Sequence, residues 1–259
     1  MKKGQGITVL KIGGSVITDK GKNEGAARYE EIERIAREIS EFDTGLVIVH
    51  GAGSFGHPQA KRYELNGKFD PRGSIITHLS VKDLNKLVVS YLNDAGVNAI
   101  GIHPMNCVVS DDARIKSMFL AHIQEMIDRG FVPVLHGDVV MDERLGTSVL
   151  SGDQIVPYLA FKLKAERIGI GSAAEGVLDG SGKTIGRITP DNFDQIKQFI
   201  SGSANTDVTG GMLGKVLELL NLSESSNITS YIFNAGQAGN VSGFLSGEDI
   251  GTAISKAEY

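Results

Sequence analysis

Leu46-Val47-Ile48-Val49 is an unbroken aliphatic run that ends in His50-Gly51-Ala52-Gly53. A strand without polar–apolar alternation is covered on both faces, and sheets covered on both faces are mainly parallel, with helices as crossovers. The rest of the chain obeys that constraint. Strands are predicted over residues 7–12, 97–102, 131–136, 167–170, 229–234 and 252–254. Amphipathic helices alternate with them over 28–42, 80–95, 154–164, 190–200, 211–222 and 238–245. Asp111 and Asp112 stand where caps belong for a further helix running to about Arg129, which Gly130 closes. Residues 138–150 read as a hairpin turning at 142–146. Strands alternating with helices predict an α/β fold with helices on both faces of a mainly parallel sheet, and ligands at the carboxyl ends of the strands.

A chain of 259 residues suits one such domain, with at most a soft lobe boundary near residue 165 (lobes 1–165 and 166–259). The single cysteine, Cys107, excludes an intrachain disulfide and argues against a structural zinc cluster. A net charge of −5 argues against nucleic acid as partner, and no apolar run reaches the ~18 residues of a membrane span. A cytoplasmic protein is expected, with neither nucleic acid nor membrane as partner. The 33 glycines, roughly twice the usual share, fall in no repeat. That pattern points to tight strand-to-helix turns and close backbone approach to a ligand.

Three glycine-rich stretches each carry a cation or a histidine. Lys11-Ile12-Gly13-Gly14-Ser15 closes the first strand, and Lys20 follows. His50-Gly51-Ala52-Gly53-Ser54-Phe55-Gly56-His57 satisfies G-x-G-x-x-G. It lacks the acidic residue that a dinucleotide site needs at the end of the next strand, where Asp70-Pro71-Arg72-Gly73 reads as a loop. An anion site at a helix N-terminus survives that test. Thr209-Gly210-Gly211-Met212-Leu213-Gly214-Lys215-Val216 fails the P-loop rule at its first glycine and after its lysine, leaving a glycine pair with a lysine one turn into a helix. Ser151-Gly152-Asp153 adds one carboxylate, which is either a helix cap or a partner for the lysines. Several anion sites around one carboxylate match phosphoryl transfer, whose catalysis is largely positioning and charge neutralisation.

These stretches, with His136-Gly137-Asp138-Val139-Val140 and Asp207-Val208-Thr209-Gly210-Gly211-Met212, resemble the amino acid kinase superfamily and, within it, the archaeal-type isopentenyl phosphate kinases, from about Ile7 to Ile254. The subfamily likeness rests on His57. The resemblance implies an open three-layer αβα sandwich, a homodimer, and transfer of the γ-phosphate of MgATP to isopentenyl phosphate, with an acceptor lobe followed by a nucleotide lobe. It further implies that Lys11 and Lys215 hold the ATP phosphates and that Lys20 neutralises charge on the moving group. Gly13, Gly14, Gly53, Ser172 and Gly211 would line the nucleotide. Ala52, His57 and Gly152 would contact the acceptor phosphate, and Asp153 would orient the two lysines. No protein metal cage is implied; Mg²⁺ arrives with ATP.

The family's Thr-Asp-Val-Asp-Gly is replaced here by Ser172-Ala173-Ala174-Glu175-Gly176, which alters the chemistry offered to the nucleoside. Ile75, Ile76, Leu79, Val149 and Ile155 are candidates for an apolar wall against an isoprenoid tail. A kinase for a compact phosphonate such as fosfomycin would share His57 and need no such wall. A non-catalytic nucleotide or phosphometabolite sensor is the remaining alternative, though Lys11, Lys20 and Lys215 are all present.

Overall fold

The computed structural model describes residues 6–19, 21, 25–42, 45–200 and 211–256. The first half of the chain forms β1 (Thr8–Ile12), α1 (Gly14–Ile17), α2 (Tyr29–Ser40), β2 (Leu46–His50), α3 (Gly53–Arg62), α4 (Pro71–Asp94), β3 (Ala99–Gly101), β4 (Val108–Asp111), β5 (Arg114–Met118) and α5 (Ala121–Asp128). There follow β6 (Val132–His136), β7 (Asp138–Asp142), β8 (Gly146–Leu150), α6 (Gly152–Leu163), β9 (Arg167–Ser172), β10 (Arg187–Ile188), α7 (Pro190–Ile200), α8 (Gly211–Ser225), β11 (Thr229–Asn234), α9 (Asn240–Leu245) and β12 (Thr252–Ile254).

Among the described residues the large sheet has the order β10-β12-β11-β9-β1-β2-β6-β3. Its six consecutive strands from β11 to β3 are parallel. β12 runs antiparallel to β11, and β10 runs with β12. A smaller sheet, β5-β4-β7-β8, stands beside it.

Both faces of the large sheet are covered. Leu10 and Ile12 pack with Ile32, Ile35 and Ile39 of α2, Leu84 of α4 and Phe244 of α9. Val9, Val47 and Val49 pack with Ile155 and Leu159 of α6 and Leu219 of α8. Each fully buried aliphatic side chain contributes roughly 1.5–3 kcal/mol, so the two layers supply most of the drive to fold. Alternation along β1 puts Lys11 on the same face as Val9, looking toward α6.

Two predicted elements differ from the structure. The helix expected from Asp111 to Arg129 is instead the β4–β5 hairpin followed by the short α5. The turn residues Asp112 and Ala113 have φ of 53° and 58°, and the carboxylate of Asp142 accepts from their backbone nitrogens at 3.2 and 2.8 Å. Asp142 also accepts from Arg144 and Leu145 at 3.0 and 2.9 Å, tying two hairpin turns to one buried group. Burial alone would raise its pKa, but these donors hold it down at about 2. A carboxylate some thirty residues away therefore decides what the local pattern left as a helix start.

The second difference is α4, which begins at Pro71 rather than near Ser80. Asp70, in the segment read as a loop, is its N-cap: it accepts from Gly73 N at 2.8 Å, and Pro71 takes the first helical position. The four-residue α1 and the two-residue β10 were not anticipated. The predicted loop over 201–207, and Lys20, lie outside the described residues.

Candidate active site

The carboxyl ends of β1, β2 and β9 are adjacent, so the first two glycine-rich turns meet there. They meet closely. A Cβ on Gly14 would lie 2.4 Å from Gly53 N, and one on Gly51 would lie 2.5 Å from Gly14 N. Gly53 has φ of +50°, and a Cβ there would fall 2.1 Å from Thr18 Oγ1. That hydroxyl accepts from Ser54 N at 3.0 Å and donates to Gly14 O at 2.6 Å, linking the two turns. Glycine is required at these positions because the two main chains touch.

Pro58 lies inside α3 and removes the amide that would bond Ser54 O. Gly25 N occupies that carbonyl instead at 3.2 Å, so the helix carrying His57 continues without an orphaned acceptor.

Beside the glycine turns lies an open cleft. Gly13, Gly14, Ala52, Gly53, His57, Gly152 and Ser172 line it, as do Lys11, Asp153 and Lys215. Gly211 is not among the lining residues; its carbonyl accepts from Lys215 Nζ at 3.3 Å, one turn away.

Lys11 is 5% exposed and donates to Asp153 Oδ1 at 2.6 Å. Lys215 Nζ stands 3.6 Å from Asp153 Oδ2. Burial would raise the pKa of Asp153, but Lys11 and Lys215 hold it below the ordinary carboxylate range. One buried carboxylate thus aims two ammonium groups and leaves the group net positive. Gly152 is part of this arrangement: a Cβ there would approach Lys11 Cε to 3.0 Å.

The predicted apolar wall is mostly elsewhere. Ile75 and Leu79 are 59% and 52% exposed, Ile76 is half-buried and outside the cleft lining, and Ile155 is fully buried core. Of the five, Val149 alone lines the cleft, together with Ala60 and Val81. Helix phase is the reason. The buried stripe of α4 runs through Ser74, Thr77, Val81, Leu84, Asn85 and Val88, and Ile75 and Leu79 fall off it.

Asp138, which the sequence marked only as part of a motif, also lines the cleft. Its carboxylate accepts from His78 Nδ1 at 3.0 Å, Val139 N at 2.8 Å and Met105 N at 3.2 Å. Beneath it, His50 and His136 sit in register at the ends of β2 and β6, each followed by a glycine. Each Nδ1–H donates to that glycine's carbonyl, at 3.1 and 3.0 Å. The Nε2 atoms then accept, from Asn85 at 3.1 Å and from His103 at 2.9 Å. Burial pushes His50 down to about 4 and His136 to about 3, so both are neutral. The paired His-Gly dipeptides at strand ends were the available signal for this network.

The Ser172–Gly176 stretch has its own contacts. Glu175 Oε1 accepts from Asn234 Nδ2 at 2.7 Å, joining the ends of β9 and β11, while Ala173 is exposed.

The chain is similar to isopentenyl phosphate kinases of two archaea. It is 38% identical to that of Methanothermobacter thermautotrophicus over 96% of this chain and 98% of the relative. It is 34% identical to that of Methanocaldococcus jannaschii over 97% and 100%. An X-ray structure of isopentenyl phosphate kinase superposes with a TM-score of 0.84 at 33% identity, covering 96% of this chain and all of the other. Residues 6–234 match the Amino acid kinase family, and with these relatives that match shows that this chain belongs to that family.

Proposed function

We propose that this protein transfers the γ-phosphoryl group of ATP to isopentenyl phosphate, forming isopentenyl diphosphate and ADP. The observation that carries this reading is the Lys11–Asp153–Lys215 group lining one cleft with His57 and with the apolar residues Ala60, Val81 and Val149. The relatives that share nearly the full length of the chain carry the same activity in their names.

An oxygen of the acceptor phosphate attacks Pγ, and the bond from Pγ to the β-bridging oxygen breaks as ADP leaves. The attacking oxygen is already anionic, so no base is needed. Lys11 and Lys215 take the charge growing on the bridging and γ oxygens, and Lys20 follows the moving group. Gly13, Gly14, Gly53, Ser172 and Gly211 approach the nucleotide. Ala52, His57 and Gly152 hold the acceptor phosphate. Mg²⁺ carried by ATP would supply further charge neutralisation at the phosphates. The acceptor binds in the 1–165 lobe and the nucleotide in the 166–259 lobe. Two copies pair as a homodimer, for which the exposed Ile75 and Leu79 of α4 offer an apolar patch. Among the described residues no helix is long and apolar enough to cross a membrane, and the lone thiol of Cys107 is free, in keeping with a cytoplasmic enzyme.

The test is ADP release with isopentenyl phosphate, fosfomycin and acetylglutamate as acceptors. Turnover of isopentenyl phosphate at least tenfold above the others, with isopentenyl diphosphate as product, supports the reading. Preference for fosfomycin, or ATP binding without turnover of any acceptor, overturns it.

A further inference from the structure

The inward-facing polar side chains of α4 have partners, with one exception. Ser74 Oγ is 2.9 Å from Thr147 Oγ1. Asn85 donates to Val134 O at 3.1 Å and engages His50. His78 is bonded to Asp138. Thr77, 3% exposed, has a hydroxyl without a hydrogen-bond partner, and it lines the cleft. Helical threonines commonly bond the carbonyl four residues back, but Thr77 Oγ1 does not. A buried unsatisfied hydroxyl is costly, and in a residue that lines the cleft a ligand atom can satisfy it.

Its place along the cleft defines that atom. Val81, one turn further along α4, lies against the α3 turn before His57: a Cβ on Gly56 would come within 3.0 Å of Val81 Cγ1. Thr77 lines the cleft with the apolar residues Ala60, Val81 and Val149, the surface that an alkyl tail would use. Asp138, held by the residue after Thr77, faces the same cleft and repels an anionic tail group. The wanted group is a neutral hydroxyl.

We infer that Thr77 is a specificity-determining residue that hydrogen-bonds a hydroxyl on the acceptor's hydrocarbon tail, so that the enzyme also phosphorylates short branched alkyl monophosphates bearing a neutral alcohol. This rests on the kinase reading above and extends its substrate class. The chemistry is the same transfer from ATP to the ester's phosphate oxygen, with the alcohol untouched.

The probes are isopentyl phosphate and its two alcohols, hydroxylated at the branch carbon or at a terminal methyl. The readout is the ratio of kcat/KM for each alcohol to that for isopentyl phosphate, by ADP release. A neutral hydrogen bond corresponds to about 3- to 10-fold. For at least one alcohol the ratio should fall by that factor in Thr77→Val and be retained in Thr77→Ser. Calorimetric dissociation constants for the same esters give the ratio even where a variant is inactive. Equal ratios in wild type and Thr77→Val for both alcohols, or no turnover of either alcohol by a wild type that phosphorylates isopentenyl phosphate, overturn the inference and leave the kinase reading standing. A wild type that does not phosphorylate isopentenyl phosphate overturns the kinase reading itself.

Discussion

Replacing Asp153 by asparagine keeps the shape of the side chain and removes the charge between two lysines. At an effective dielectric of about 20, one unit charge 2.6 Å from Lys11 Nζ and 3.6 Å from Lys215 Nζ contributes attractions of about 6 and 5 kcal/mol. The cost of burying the three ions offsets much of this, and removing one member of a buried pair typically costs about 3–5 kcal/mol. Asp153 is 8% exposed, so water does not screen the loss. For a chain of 259 residues that is a fall in Tm on the order of 10 °C.

Ligand binding separates this account from a simple packing defect. In Asp153→Asn the phosphates of a nucleotide replace the missing carboxylate, so a non-hydrolysable ATP analogue should raise Tm more in the variant than in wild type. KM for ATP should not rise, whereas kcat should fall by roughly 10²–10³ because the ammonium groups are no longer aimed. The assays are thermal unfolding with and without the analogue, and steady-state ADP release. An unchanged Tm for the free variant, or a smaller nucleotide-induced rise than in wild type, would refute the role given to Asp153.

His57→Ala should raise KM for isopentenyl phosphate about 10- to 100-fold, and His57→Gln, which keeps an N–H donor, should restore much of it; the check is steady-state kinetics on the acceptor. Lys20→Ala should lower kcat by roughly 10²–10³ with little change in KM for ATP, read in the same assay. Asp142, shifted from 3.8 to about 2, contributes about 2 kcal/mol that is present above pH 4 and is lost as pH falls toward 2. Asp142→Asn should therefore lose that amount in urea unfolding at pH 7 and converge on wild type in acid. His50 and His136, lowered from 6.5 to about 4 and about 3, bind fewer protons folded than unfolded below pH 6.5. Stability should be full above that pH and decline as pH falls from 6.5 toward 4, and the slope in urea titrations should drop by about one proton in His136→Asn.

Some of this molecule was legible because local chemistry agreed with the global fold. Leu46–His50, Thr229–Asn234 and Thr252–Ile254 are strands at the predicted bounds, since runs buried on both faces leave nothing else for the chain to do. The glycine turns announced a cradle, and the lysines and Asp153 a charge group, because each type is scarce in a core without such a purpose. What stayed hidden depended on partners distant in sequence. The β4–β5 hairpin turns on Asp142, and the neutral state of His136 depends on burial beside a strand more than eighty residues earlier.

The misplaced apolar wall shows why hydrophobicity alone gave the wrong face of α4. Ile75 and Leu79 look like core residues, and Ser74, Thr77 and Asn85 look like surface ones, yet their burial is the reverse. A helix that borders a binding cleft and a polar network need not carry its apolar residues inward, because its inner face answers to the groups it must meet. Ser74 meets Thr147, Asn85 meets His50, and His78 meets Asp138. Polar residues at core spacing on such a helix therefore mark its inner face, where Ile75 and Leu79 do not. The same logic makes Thr77, the member of that stripe whose hydroxyl is unmatched, the place where the acceptor's own chemistry is read.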